Sequence, residues 1–444
     1  MAYSPELERI LKEKGIKVGN RVRVEKNGHV YEGLLMPRIE VGDEKTLIIK
    51  LDSGYNVGIK YEKGVRIEKV GEGKEPGKIP RLKIRHNTEL PDVVMIATGG
   101  TIGTHVDYLT GGVYMCRDPE EILFMAPEVT EIINLKKALR PFTLASEDMT
   151  PDEWKTLAKL VAKELNEGAY GVIITHGTDT MHYTSAALSF MLRNLNKPVV
   201  MVGAQRSPDR GSFDGAMNLI CASHVVKSDI AEVVVVMHGT TNDDYCLAIR
   251  GTKVRKMHSS RRDAFRPINE MPIAKVWQDG KIEILNEHRK RKEGKVEADA
   301  KFEPKVAIVK AYPGSNPKII DWYVDNDYKG LVIEGTGFGH VPTQPLKKED
   351  SWIPHVKDAV ERGVFIGITT QTIYGRTNPY VYRNLRLLNE AGGVHLEDML
   401  TEVAYVKLGW VLGHTKSMKK VKGMMLTNYA GEITKTSDPR SFLY

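Results

Sequence analysis

The hydrophobic and polar positions near the start of the chain predict a short helix. Residues 4–14 (SPELERILKEK) are helix-like in composition and pattern. Ser4 suits the capping position before a helix, Pro5 is favoured at the first helical position, and Gly15 is a typical stop. We therefore expect one helix that ends at Gly15.

After this helix the apolar positions recur with a period of two, which is typical of strands. The stretch RVRVEKNGHVYEGLLM consists of two alternating runs around Asn27-Gly28, the strongest short hairpin pattern. The stretch TLIIKLDSGYNVGIKY repeats this pattern around Ser53-Gly54. Together these runs predict a small β-barrel of SH3-like type over residues 16–70.

From Asp92 onward the pattern changes to that of an α/β protein. Short apolar runs rich in β-branched residues recur near glycine or polar turns: VVMIAT, GVIIT, PVVMVG, AEVVVVMHG, VAIVKAY, LVIEGTG and VFIGITT. Helix-like segments, such as residues 151–167, lie between them. This alternation predicts parallel sheets with helices on both faces.

Two charged segments poor in apolar periodicity divide the chain. Residues 71–91 are rich in glycine, proline and charge, so we expect an N-terminal barrel with its linker over residues 1–85. The run NEHRKRKEGKVEADAKFEP, residues 286–304, is interpreted as a second linker. Its basic residues could contact phosphates, although a solvated connector is the more common case. The expected α/β domains are residues 92–285 and 305–444.

Two threonine-containing loops follow buried strands. They are Thr98-Gly99-Gly100-Thr101 and residues 175–180 (THGTDT). Ligands of an open parallel sheet bind outside the carboxyl ends of the strands, so the two loops can meet in one crevice. Gly99 and Gly100 allow a sharp turn and close approach of backbone N–H groups, which suits an oxyanion hole.

A threonine hydroxyl is a weak nucleophile until a neighbouring group accepts its proton. Tyr114 is such a neighbour for Thr101, and Gly103, Gly111 and Gly112 between them are typical of a mobile lid. This pattern predicts a threonine nucleophile with a tyrosine on a lid.

Each of these residues also has a simpler structural interpretation. A single Thr-Gly-Gly after a strand is usually only a turn, but a second threonine loop reverses the balance. Tyr114 alone would more often pack against its neighbours, and Asp179 alone would more often cap a helix. His176 is expected to be structural, since no serine or cysteine stands beside it in the sequence.

The segments ATGGTIG and THGTDTM, in this order and each after a strand, resemble the bacterial-type L-asparaginase family. VGAQRSPDRGSFDGAMNL, residues 202–219, is similar to that family too, and the resemblance runs from about residue 92 to the C-terminus. It implies an asparaginase-like two-domain α/β fold and hydrolysis of side-chain amides through an acyl-enzyme. It also implies that Thr101 is the first nucleophile, that Tyr114 assists it from the lid, and that a second catalytic cluster consists of Thr178, Asp179 and Lys256.

The lysine of this cluster has two candidates in GTKVRKMHSSRRDAF. Lys256 is chosen by its distance ahead of Phe265, and Lys253 is the alternative. A lysine beside Thr178 either removes the proton of the hydroxyl or supplies a positive charge that stabilises an alkoxide.

The resemblance also implies residues that bind the α-groups of the substrate. Ser146 and Glu147, in LASEDM, occupy the place where the family binds these groups. Many plain asparaginases carry glutamine at the position of Glu147, so the resemblance does not define the details of the substrate fit. Asp179 is better suited to bind an α-ammonium group than to act as a nucleophile beside Thr178.

Composition narrows the remaining classes of function. The chain has 444 residues, of which 41% are hydrophobic and 27% charged, and its net charge is +7, which permits a polyanionic partner without indicating one. Three cysteines without CxxC spacing suggest neither a disulfide framework nor a zinc site. No uncharged apolar run reaches the roughly 18 to 20 residues needed to cross a bilayer. We therefore expect a cytoplasmic protein without a membrane partner.

A plain asparaginase does not need the N-terminal barrel. The barrel, the asparaginase-like remainder and YVKLGWVLG, residues 405–413, together resemble the glutaminase subunits of archaeal tRNA-dependent amidotransferases. The resemblance implies that this chain releases ammonia from glutamine or asparagine, while a partner subunit binds Glu-tRNA(Gln) and activates it with ATP and Mg²⁺. It implies no cofactor in this chain, tRNA contact mainly through the partner, and a homodimer of this chain within a heterotetramer.

The absence of a Walker loop, a kinase-like pattern and a metal-ligand cluster from the sequence agrees with this division of labour. Two alternatives stay open. One is a free-standing L-asparaginase or glutaminase with an appended barrel. The other is a noncatalytic RNA-binding or scaffold subunit that keeps the fold, against which the complete set of candidate catalytic residues speaks.

Overall fold

A computed structural model describes residues 3–38, 42–72, 87–100, 102, 104–106, 113–115, 125–208 and 210–444, with backbone alone for 104–106 and 113–115. The helices of this part of the chain are α1 Pro5–Glu13, α2 Val129–Ile132, α3 Pro151–Asn166, α4 Met181–Met191, α5 Gly215–Lys227, α6 Lys318–Asp325, α7 Trp352–Glu361, α8 Arg383–Glu390, α9 Thr401–Leu412 and α10 Met418–Met425. The strands are β1 Arg21–Lys26, β2 His29–Met36, β3 Thr46–Leu51, β4 Asn56–Lys60, β5 Arg66–Gly71, β6 Asp92–Ala97, β7 Thr104–Val106, β8 Val113–Met115, β9 Asn134–Leu139, β10 Gly171–Thr175, β11 Leu192–Arg193, β12 Val199–Val202, β13 Val233–His238, β14 Cys246–Arg250, β15 Val254–Lys256, β16 Phe265–Pro267, β17 Ala274–Val276, β18 Ile282–Ile284, β19 Glu297–Ala298, β20 Val306–Lys310, β21 Gly330–Gly335, β22 Phe365–Thr370 and β23 Val394–His395.

The predicted N-terminal helix and first hairpin are confirmed. The hydroxyl of Ser4 accepts a hydrogen bond from the Leu7 amide at the start of α1, and Gly15 follows the helix with φ of +64°. Asn27 and Gly28 have φ of 52° and 76°. Positive φ at both central residues is typical of the tight turn that joins two twisted strands, here β1 and β2.

Five antiparallel strands form the N-terminal sheet, in the order β4-β3-β2-β1-β5. The second predicted hairpin is also confirmed, because β3 pairs with β4 across Ser53-Gly54, with Lys50 opposite Asn56. The core of this domain lies under α1 and consists of Leu7, Leu11, Val22, Val24, Leu35, Leu47, Ile49, Ile59 and Ile67, together with Tyr3 and Ile16. Among the described residues no ladder joins β4 to β5, so closure into a barrel stays a prediction.

The central sheet has eight strands in the order β18-β17-β14-β13-β12-β10-β6-β9. The strands from β13 to β9 are parallel, as the alternation of strands and helices predicted. β14, β17 and β18 are antiparallel, which the prediction of parallel sheets missed. The reason is the direct connection from β13 to β14, since a parallel neighbour needs a crossover of a dozen or more residues.

The C-terminal sheet has four parallel strands in the order β20-β21-β22-β23. Helix α9 packs between this sheet and α4, which belongs to the central sheet's layer. Every residue of α9 except Tyr405 is buried. Its apolar side chains therefore belong to a hydrophobic core that both domains share. Within the described residues no helix is long and apolar enough to cross a membrane.

The segment predicted as the second linker lies along the surface of the first α/β domain. Its residues 297–298 form β19, which pairs with β11. The Arg291 guanidinium donates to the carbonyl oxygens of Val226 and Ser228 at 2.6 Å each and lies 3.9 Å from the ring centre of Tyr170. These contacts hold the connection between the two α/β domains in one path.

Two buried ion pairs help to hold the two domains and the C-terminal residues together. Lys253 Nζ, from the first domain, lies 2.6 Å from Asp398 Oδ2 of the second, and the two side chains are 0% and 1% exposed. Lys407 of α9 lies 2.6 Å from Glu432, and both side chains are fully buried. Burial lowers the pKa of Lys407, while Glu432 opposes this shift. Breaking such a pair leaves an uncompensated buried charge.

Candidate active site

The two threonine loops begin at neighbouring strands of the central sheet. β6 and β10 are parallel, and Ala97 at the end of one pairs with Thr175 at the end of the other. The backbone N–H and the hydroxyl of Thr98 both donate to the carbonyl oxygen of Thr175, at 3.1 and 3.0 Å. The expected meeting of the two loops is therefore confirmed.

The loops touch through two glycines. Gly99 and Gly100 have φ of 121° and 89°, a region that side chains rarely adopt. A methyl group built on Gly100 would lie 2.5 Å from Cα of Gly177, so a residue larger than glycine would push the loops apart. Thr101 follows Gly100 in the chain but lies outside the described residues, and so does the side chain of Tyr114.

Lys256 connects the second loop to the strand β15. Its Nζ lies 2.9 Å from Thr178 Oγ1 and 2.8 Å from Asp179 Oδ1. The side chain of Lys256 is 9% exposed, whereas that of Asp179 is 65% exposed. The lysine is thus nearly buried, while the Asp179 side chain is exposed to solvent.

The short hairpin of β15 and β16 positions this lysine, because Lys256 pairs with Phe265. Lys253 points elsewhere and is paired with Asp398 in the second domain. Of the two candidate lysines, Lys256 is therefore the one in contact with Thr178. Arg255, between them, binds Glu402 of α9 at 2.5 Å.

Ser146, from a third segment of the chain, packs against the second threonine loop. The carbonyl oxygen of Ser146 accepts a hydrogen bond from the Thr180 hydroxyl at 2.6 Å, and its Oγ lies 3.4 Å from the Thr180 amide. A methyl group on Gly177 would lie 2.8 Å from Cβ of Ser146. The neighbouring Glu147 is exposed, so its carboxylate is available to solvent or to a ligand beside Ser146.

Two histidines beneath the loops are neutral at physiological pH. Burial lowers the pKa of His176 to about 4, and its Nδ1 lies 2.6 Å from the carbonyl oxygen of Gly177. Burial, followed by the charges of Arg255 and Lys256, lowers the pKa of His182 to about 3. Both side chains lie beside the site without carrying a charge into it.

Asp214 is a site-supporting residue that sequence reasoning did not single out. Its buried carboxylate accepts hydrogen bonds from the amides of Gln205 and Arg206, at 3.0 and 2.9 Å, and from the Asn218 side chain at 3.1 Å. Gly203, just before these amides, is so close to the second loop that a methyl group there would lie 2.9 Å from Thr178 Cγ2. In the sequence, Asp214 was indicated only by its position within residues 202–219, the segment that is similar to the asparaginase family.

Comparison with known proteins follows the same division of the chain. Residues 92–290 match the model "Asparaginase, N-terminal", residues 305–425 match "Glutaminase/Asparaginase C-terminal domain", and residues 16–70 match "GatD N-terminal domain". The GatD subunit of the glutamyl-tRNA(Gln) amidotransferase of Pyrococcus furiosus is 54% identical over 443 residues, which cover 98% of this chain and 99% of that protein. This chain belongs to the GatD family of glutamyl-tRNA(Gln) amidotransferase subunits.

More distant GatD proteins also match along almost the whole chain. The GatD subunit of Methanopyrus kandleri is 46% identical over 440 residues, covering 97% of this chain and 94% of its own length. Among solved structures, the thermostable L-asparaginase from Thermococcus kodakarensis aligns with a TM-score of 0.70 and 29% identity, covering 78% of this chain and 100% of its own. L-asparaginase I from Vibrio cholerae aligns with a TM-score of 0.66 and 27% identity, over 78% of this chain and 99% of its own.

These likenesses confirm the predicted asparaginase-like fold for this member of the GatD family. The solved asparaginases align over their whole lengths but leave part of this chain uncovered. Residues 16–70 have a family model of their own. The GatD chain is thus an asparaginase fold preceded by a separate small domain.

The glycine contact between the loops yields a stability prediction. We expect Gly100→Ala to lower the free energy of unfolding more than Gly168→Ala does. Both positions have positive φ, 89° and 99°, so each alanine costs about 1–2 kcal/mol in backbone strain. Gly168 has open space around it, whereas overpacking against Gly177 adds about 1–3 kcal/mol. Chemical denaturation of both variants measures the difference, and equal losses would contradict the tight contact.

The two lysines should respond differently to the same substitution. We expect Lys253→Met to lower the free energy of unfolding by about 3 kcal/mol, because the buried carboxylate of Asp398 would lose its close cation and keep only Arg376, at 3.9 Å, as a charged neighbour. Lys256→Met should cost less, since its carboxylate partner Asp179 is largely exposed and would be solvated by water. Denaturation curves of the two variants test this, and a larger loss for Lys256→Met would show that its role is structural.

Proposed function

We propose that this chain hydrolyses the side-chain amide of glutamine, or of asparagine, with Thr101 as the nucleophile. The observation that carries the proposal is the contact of Lys256 Nζ with both Thr178 and Asp179. This cluster lies in the loop whose Gly177 touches Gly100, the residue before Thr101. The residue before the proposed nucleophile and the lysine proposed to activate it therefore lie at one edge of the central sheet.

The proposed reaction has two steps. The Oγ of Thr101 attacks the amide carbonyl, the carbon–nitrogen bond breaks, and the nitrogen takes a proton and leaves as ammonia. Water then hydrolyses the ester on Thr101, which releases glutamate from glutamine, or aspartate from asparagine, and restores the hydroxyl. Lys256 and Thr178 move the proton or stabilise the developing charge, and Tyr114 assists Thr101 from the lid.

Substrate binding is assigned to the exposed acidic side of the cluster. The Asp179 side chain is exposed, and its carboxylate is suited to an α-ammonium group. Ser146 and Glu147 lie beside the same loop and complete the surface for the α-groups. None of these roles requires a cofactor in this chain.

The relatives that match over nearly the full length are named as subunits of a glutamyl-tRNA(Gln) amidotransferase. We therefore assign the released ammonia to a partner subunit that converts Glu-tRNA(Gln) to Gln-tRNA(Gln), with ATP and Mg²⁺ bound by the partner. In this assembly the tRNA is held mainly by the partner. Two copies of this chain and two partner subunits form a heterotetramer.

The second candidate is a free-standing L-asparaginase or glutaminase. The observation that favours it is the alignment of complete L-asparaginases with 78% of this chain. The match of residues 16–70 to the GatD N-terminal domain, and 54% identity to an amidotransferase subunit along 98% of the chain, favour the amidotransferase role.

Replacing the proposed nucleophile tests the chemistry. Thr101→Ala should lower ammonia release from glutamine by about a thousandfold or more, because no other hydroxyl is assigned to form the acyl-enzyme. Thr101→Ser keeps a hydroxyl and should retain far more activity. Steady-state ammonia release and a melting curve for each variant give the answer. If Thr101→Ala stays active while folded, Thr101 is not the nucleophile.

Adding the partner tests the assignment to an amidotransferase. A glutaminase that hydrolysed freely would waste glutamine, so we expect slow release by this chain alone. With the partner subunit and Glu-tRNA(Gln) the rate should rise about 5- to 150-fold, the range of a typical coupling free energy. Ammonia release is compared for the chain alone, with partner, and with partner and tRNA. Equal rates, with efficient asparagine turnover by the chain alone, would instead identify a free-standing asparaginase.

A further inference from the structure

The N-terminal domain touches the asparaginase fold through the tip of one hairpin. The hydroxyl of Tyr55, in the turn between β3 and β4, lies 3.0 Å from Ser212 Oγ. The Arg210 guanidinium lies 4.5 Å from the centre of the Tyr55 ring, within the range of a cation–π contact. The Gly211 amide approaches the carbonyl oxygen of Ser53 at 3.5 Å. A side chain and a backbone group of this tip thus both face residues 210–213.

The tip is held in place by its own domain. Lys50 is buried, and its side chain donates to the carbonyl oxygen of Gly54 at 3.3 Å. The Leu51 amide donates to the carbonyl oxygen of Tyr55 at 2.9 Å. Tyr55 is nevertheless 44% exposed, so its contacts to Arg210 and Ser212 are made at the surface. A fixed backbone therefore presents an exposed aromatic ring to the neighbouring domain.

Residues 210–213 lead directly to the candidate active site. A methyl group built on Gly215 would lie 2.5 Å from Phe213 Cε2 and 3.1 Å from Ile102 Cγ1, so Phe213 and Ile102 flank the same glycine. Ile102 is 1% exposed and follows Thr101 in the chain. A displacement of Phe213 would therefore disturb the packing around Ile102, the residue after the proposed nucleophile.

A second connection runs through Asp214. This residue follows Phe213, and its carboxylate holds the amides of Gln205 and Arg206. Those amides come just after Gly203, which packs against Thr178. Residues 203–208 and 210–215 thus lie beside Ile102, which follows the first threonine loop, and beside Thr178 of the second.

We propose that Tyr55 is a positioning residue for amide hydrolysis, which acts by holding residues 210–213 beside Ile102 and, through Asp214, by fixing the segment that packs against Thr178. The inference rests on the proposed function for its catalytic consequence, but its structural part stands on the contacts alone. In this proposal the N-terminal domain has a role in the activity of this chain itself. The hairpin tip keeps the active-site support in the arrangement that the chemistry requires.

Three substitutions and one control test this. Tyr55→Ala removes ring and hydroxyl, Tyr55→Phe removes the hydroxyl alone, and Arg210→Met removes the cation over the ring. Tyr31→Phe removes a hydroxyl from β2 of the same domain, and in the described structure no hydrogen bond links Tyr31 to residues 210–213. Each variant is made in the full chain and checked by a melting curve.

Hydrogen exchange and ammonia release are measured on the same samples. We expect Tyr55→Ala to speed amide exchange in peptides that contain residues 210–213 and Ile102, and to lower kcat/KM for glutamine about 5- to 10-fold, mainly through kcat. Tyr55→Phe should lower it about twofold, and Tyr31→Phe should match the wild type. The double variant Tyr55→Ala/Arg210→Met should be little worse than either single variant, because the two side chains form one contact.

The outcomes separate this inference from the proposed function. If Tyr55→Ala leaves exchange at residues 210–213 and Ile102 unchanged, the positioning role is wrong, whatever the activity. If exchange rises but kcat/KM stays within twofold of the wild type, the contact orders the segment without serving catalysis, which also overturns the proposal. If the wild type releases no ammonia from glutamine or asparagine, the proposed function fails, and the catalytic role of Tyr55 fails with it, while the exchange result still decides the structural coupling.

Discussion

The close approach of Gly100 and Gly177 is the constraint on which the candidate active site depends. The parallel pairing of β6 and β10 brings two loops to the same sheet edge, but only residues without side chains let the backbones touch there. Ser146 then packs against the other side of Gly177. Three segments distant in sequence therefore converge, and the space beside them is lined by side chains able to polarise a hydroxyl or bind a charged substrate.

Two lysines in one short stretch serve opposite purposes. Lys253 lies in the turn before β15 and Lys256 at the end of that strand. One is buried against Asp398 and joins the second α/β domain to the first, and the other reaches Thr178. The interdomain ion pair thus also anchors the strand that presents the second lysine, which links the packing of the two domains to the geometry of the site.

The small N-terminal domain has its own core, yet it is not isolated from the site. The contact through Tyr55 is made to the segment that precedes Asp214, and Asp214 in turn holds backbone amides near Thr178. A buried carboxylate needs hydrogen-bond partners, so a shift of this loop would leave Asp214 with fewer of them. The surface contact of Tyr55 and the backbone near Thr178 are thereby connected through one loop, which contains Asp214.

Local sequence patterns were sufficient for the elements that depend on neighbouring residues. Capping by Ser4, the turn at Asn27-Gly28, and the alternation of buried strands with helices follow from local backbone preferences and periodicity, so the α/β class and both hairpins were predictable. Resemblance to asparaginases supplied the candidate residues, including Lys256. The three antiparallel strands of the central sheet, the burial of Lys253 against Asp398, the carboxylate of Asp214 and the contact of Tyr55 with Arg210 were decided by the tertiary structure alone. Each depends on a partner far away in sequence, whose position no local preference specifies.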